Sequence, residues 1–144
     1  MNDFARSFLN DCQDISGSIL ATSQRLYDAI RDDIEAKRRL RDAEERLSNY
    51  EAELIAEATI RASVEKSGPL AGIAATSSAF KAACEALIAK SRRTGSHAQL
   101  YMEAVKLRNE GDECAALREG VAVTFSALKH AADLRAAMLN SLQG

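Results

Sequence analysis

Few residues in this sequence could do chemistry at neutral pH. Two histidines, His97 and His130, have the side chain suited to a general base or a metal ligand. A metal site on one helix face needs a second His, Cys or carboxylate three or four residues away. His97 has none at that spacing, and His130 has only Asp133. The Glu-x-x-His signature of a di-iron bundle is absent. Glu51, Glu53 and Glu57 are carboxylates on one stretch, and helix phase sets at least two of them beside an apolar seam, facing solvent. Cys12, Cys84 and Cys114 are too far apart for a CxxC zinc site or a disulfide framework. Cys84 lies on an apolar face with no activating histidine near it in sequence, so a nucleophilic role is not indicated. No phosphate-binding glycine loop and no GxSxG elbow occurs. The expectation is a protein that is not an enzyme, with no cofactor and no metal.

Binding chemistry is better represented. Lys37, Arg38, Arg39 and Arg41 form one basic cluster, and Arg92 and Arg93 a second. Such clusters can neutralise a nucleic-acid backbone. Here acids surround the first, from Asp32 to Glu45, and no aromatic is interleaved to stack on bases. Flanking charges of a coiled coil explain the clusters better, with nucleic-acid binding as the alternative. The stretch FARSFLNDC near the amino terminus carries Phe4, Phe8 and Leu9, a cluster of apolar side chains suited to anchoring another protein or a second copy.

The elements that position these residues are helices. Apolar residues make up 47% of the 144-residue chain, aromatics only 5%, and there is one proline. That mixture suits long helices packed through small side chains. From about residue 3 to 66, apolar positions recur at gaps of three and four, most clearly in LRDAEERLSNYEAELI. Asn2 can cap this helix. Gly68 and Pro69 should end it, with Gly68 left-handed. A short helix is expected over about 77–93, placing Phe80, Cys84, Leu87 and Ile88 on one face, with a cap among Thr76, Ser77 and Ser78. Ser96 to Gln99 fits a capping box, opening a third helix to about residue 141. Its expected seam includes Leu100, Ala104, Leu107, Cys114, Leu117, Val121, Phe125, Leu128, Ala132, Leu134 and Met138. Gly17 and Gly111 are points where the long helices could break.

Two long helices and one short one bury their stripes most simply as an antiparallel coiled-coil hairpin, with the short helix at the turn end. The fold class is therefore all-α, a single three-helix bundle-like domain over residues 1–144. The formal charge of −2 gives no strong field toward nucleic acid or anionic lipid. With no signal peptide and no apolar run long enough to span a bilayer, a soluble cytoplasmic protein without a membrane partner is expected. Apolar surface left over on a thin hairpin favours a homo-oligomer, a dimer first.

The stretches YEAELIAEATIRAS and FSALKHAADLRAAMLNSL resemble small coiled-coil proteins of tailed phages and prophages. In place of their Gly-Lys-Asn turn, this chain has Lys66-Ser67-Gly68-Pro69. The resemblance implies an accessory factor that binds and blocks or bridges a host or defence protein. It implies no catalytic residues.

Overall fold

The computed structural model describes residues 2–143 and is all-α. Its helices are α1 (Asp3–Val64), α2 (Ser78–Ser91) and α3 (Gly95–Gln143). The two long helices pack against each other as a helical hairpin bundle.

The helix ends show why the chain turns where it does. Asn2 caps α1: its Oδ1 accepts the Ala5 N–H at 2.7 Å. At the other end of α1, Lys66 takes the left-handed conformation (φ 52°) before Gly68 does (φ 91°). The cap therefore starts earlier than the glycine suggests, with the Glu65 and Ser67 N–H groups both reaching the Arg61 carbonyl. Gly68 is needed a step later. A Cβ there would lie 3.1 Å from Arg61 Cδ. Ser77 caps α2, its Oγ accepting from the Phe80 N–H at 3.2 Å. The capping box expected at Ser96 is not the start of α3. The helix begins one residue earlier, at Gly95, whose φ of 68° reverses the chain directly from the end of α2. Neither Gly17 nor Gly111 breaks its helix. A single glycine costs about 1 kcal/mol, which the packing of a long amphipathic stripe outweighs.

The chain divides into two compact units. The first pairs α1 up to Ala36 with α3 from Gly111 onward. Its α1 seam runs through Phe8, Cys12, Ile15, Ile19, Thr22, Leu26, Ala29, Asp33 and Ala36, alternating gaps of four and three. The facing α3 seam is Cys114, Arg118, Val121, Phe125, Leu128, Ala132, Arg135 and Leu139. Three expected seam residues are displaced. Leu117, Leu134 and Met138 are exposed, and Arg118, Arg135 and Leu139 take the inward positions instead. The strict heptad phase decides this over side-chain hydrophobicity. Asp33, one of the acids around the first basic cluster, is buried in the seam, where its Oδ2 accepts from Arg118 Nη1 at 2.9 Å. A polar pair at a seam position sets the register of two helices, because any slip separates it.

The second unit is Lys37–Glu110. Its centre is Ala43, Leu47 and Ala104, with Leu100, Tyr101 and Leu107 packed around them. The alanines let the α1 and α3 backbones come close. Arg46 bonds Glu103 at 3.1 Å and Arg108 bonds Glu44 at 3.0 Å on either side of the seam. These pairs are solvent-exposed and contribute a few tenths of a kcal/mol each. Leu70, in the segment joining α1 to α2, is 1% exposed and anchors that segment. The face of α2 bearing Phe80, Cys84, Leu87 and Ile88 is half-buried, as its spacing predicts.

Candidate functional site

The densest polar arrangement is inside the second unit, around His97. The turn from α2 to α3 brings Ser91, Arg92 and His97 to the last quarter of α1, where Glu51 stands. His97 is 1% exposed. Its Nδ1 lies 2.7 Å from Ser91 Oγ and its Nε2 lies 2.9 Å from Glu51 Oε1. The Arg92 guanidinium donates to the same carboxylate oxygen at 2.6 Å. Two rings close the arrangement. Tyr50 lies 4.8 Å from His97, ring centre to ring centre, and Arg92 sits 4.5 Å over Tyr101.

The order Ser91–His97–Glu51 has the connectivity of a nucleophile, a base and an orienting acid. The surroundings favour a structural role. Ser91 is the last residue of α2, so that helix end presents carbonyl groups, the wrong sign for holding an oxyanion. Arg92 also draws on the carboxylate that would orient the base. What the cluster does is fasten three segments together: α1 through Glu51, the end of α2 through Ser91 and Arg92, and the start of α3 through His97. Sequence spacing missed it because Glu51 lies 46 residues from His97. The one hint was a glutamate directly after a seam tyrosine. Among the described residues, no group of three or more His, Cys, Asp and Glu side chains is placed to hold a metal ion.

The basic residues divide between paired and exposed ones. Arg92 is committed to Glu51 and Tyr101. Lys37 and Arg38 are engaged by neighbouring groups. Arg39, Arg41 and Arg93 are exposed.

The apolar amino-terminal stretch lies in the first unit and divides in two. Phe8 is buried in the seam, so it does not serve as a surface anchor. Phe4 is 63% exposed and stacked on Phe8, ring centres 6.3 Å apart and planes 15° apart. Leu9 is 42% exposed. An open cleft runs beside Phe4, lined by Phe4, Ser7, Phe8, Asp11, Arg135 and Met138. Phe4 is thus held in place by a buried neighbour while its other face meets water. A second set of exposed apolar side chains lies further along α1, at Leu20, Tyr27 and Ile34.

No helix among the described residues is long and apolar enough to cross a membrane. No protein family, no curated protein and no solved structure matches this chain.

Proposed function

We propose that this chain is a non-enzymatic protein-binding module, and that Phe4 and Leu9 are anchors for its partner. The observation that carries this reading is the exposed Phe4 ring held on buried Phe8 beside an open cleft. A pre-positioned aromatic loses little side-chain entropy on binding, which is the property of an interface hot spot. Phe8 supports Phe4 from beneath. In keeping with the resemblance to tailed-phage coiled-coil proteins, the partner is a host or defence protein in the cytoplasm, blocked or bridged by occlusion of its surface. The all-helical hairpin supports this by offering long helix faces with exposed apolar side chains.

The alternative, phosphate-backbone binding through Lys37, Arg38, Arg39, Arg41, Arg92 and Arg93, is weakened because Arg92 is already neutralised by Glu51. Affinity capture from host lysate, with and without nuclease, separates the two. A protein retained after nuclease supports the module. Loss of all bound material on nuclease treatment, with capture falling steeply as salt rises, overturns it in favour of nucleic acid.

A further inference from the structure

The exposed side chains Leu20, Tyr27 and Ile34 are spaced by seven residues on α1, at 75%, 65% and 59% exposure. Ser23 and Ile30 fall between them, so the run alternates gaps of three and four like the buried seam. This is a second heptad stripe, rotated about a quarter turn from the first. A stripe with that repeat fits another helix of the same repeat.

The same face of the first unit has a complementary edge. Ile30 follows the seam residue Ala29, and Ala115 and Ala122 follow the seam residues Cys114 and Val121, so in an antiparallel pair they flank the seam on the same side. Asp112 and Glu119 form the rim beyond them, exposed. On the α1 side, the rim beyond the stripe carries Arg31, exposed and only loosely paired with Asp28 and Asp32 at 3.7 and 3.5 Å. One edge is therefore large and apolar, with the single arginine Arg31 on its rim. The other is small with an acidic rim.

We propose that this face binds a second copy of the chain across a two-fold axis parallel to the helices. Such an axis moves no residue along the helix direction. It lays α1 of each copy over α3 of the other at the height the two already share within one copy. That height is set by the Asp33–Arg118 contact. Tyr27 then packs beside Ala122 of the other copy, Ile34 beside Ala115, and Arg31 meets Glu119. Size and charge are matched twice, once at each symmetry-related edge. This proposal does not depend on the partner-binding role of Phe4, which lies outside the stripe; Leu9, two heptads before Ser23, is in phase with it.

Sedimentation equilibrium of the full chain tests it, using Tyr27→Glu, Arg31→Glu and Glu119→Arg. The wild type is expected at twice its 15.6 kDa chain mass. Tyr27→Glu is expected at the single-chain mass with an unchanged circular dichroism spectrum, because Tyr27 touches no core. Arg31→Glu and Glu119→Arg each place like charges across both edges, and each should weaken the dimer at least tenfold. An equimolar mixture of those two variants restores opposite charges at both edges and should recover dimer. A monomeric wild type, a dimer indifferent to Tyr27→Glu, or a mixture that recovers no dimer would each overturn the proposal.

Discussion

Replacing His97 by alanine should unfold the region where α2 meets the long helices, and the size of the effect follows from its contacts. The side chain is 1% exposed, so its removal leaves a cavity rather than a solvated gap. Truncating a buried side chain of this size costs about 2–5 kcal/mol. The imidazole also holds Glu51 at 2.9 Å and Ser91 at 2.7 Å. Those losses are partly offset, because Arg92 still satisfies Glu51 and half-buried Ser91 can turn to water. A net cost of about 3 kcal/mol is expected. His97→Leu keeps most of the volume and loses only the polar contacts, so it should cost less, about 1–2 kcal/mol. Urea unfolding followed by circular dichroism measures both. Hydrogen exchange locates the effect: protection of α2 amides should fall further than that of α3 beyond Gly111. A His97→Ala cost below about 0.5 kcal/mol, the level of an ordinary surface substitution, would show that His97 does not hold the three segments together. His97→Leu costing as much as His97→Ala would contradict the cost assigned to the cavity.

Replacing Asp33 and Arg118 together by leucine should leave the hairpin as stable or up to about 4 kcal/mol more stable, whereas Asp33→Leu alone should destabilise it; a double-mutant cycle in urea reads the coupling. Gly17→Ala, in a helix interior with open space around the missing Cβ, should raise stability by about 1 kcal/mol, seen as a higher unfolding midpoint. Gly68→Ala should lower it by about 1–2 kcal/mol, since the residue has φ 91° and a Cβ would press on Arg61. Ala104→Leu, at a position 1% exposed between the long helices, should cost about 1–3 kcal/mol through overpacking.

What the sequence made legible was set by local repeat. The three-four alternation of α1 survives in the burial pattern because one partner helix covers it along each unit. The same rule corrected the α3 seam. Leu117, Leu134 and Met138 are apolar but out of heptad phase, while Arg118 is charged but in phase, and phase prevailed because Asp33 waits opposite it. Helix ends were legible where one side chain makes the cap, as at Asn2 and Ser77. They were legible to within two residues where the backbone alone closes the turn, as at Lys66 and Gly95. The His97 cluster was not legible. Its members come from three segments, and only the folded hairpin brings them within bonding distance. The FARSFLNDC stretch was read correctly as apolar. Which face of it meets water depended on heptad phase, and that phase buries Phe8 while leaving Phe4 out.

The proposed role of exposed Phe4 and Leu9 is to hold a protein partner. Nuclease-treated affinity capture tests it most directly, with the wild type beside a Phe4→Asp, Leu9→Asp variant, both checked for equal thermal unfolding. A protein captured by the wild type and lost from the variant, with the unfolding midpoint unchanged, is expected. Equal capture by both forms would rule out Phe4 and Leu9 as anchors.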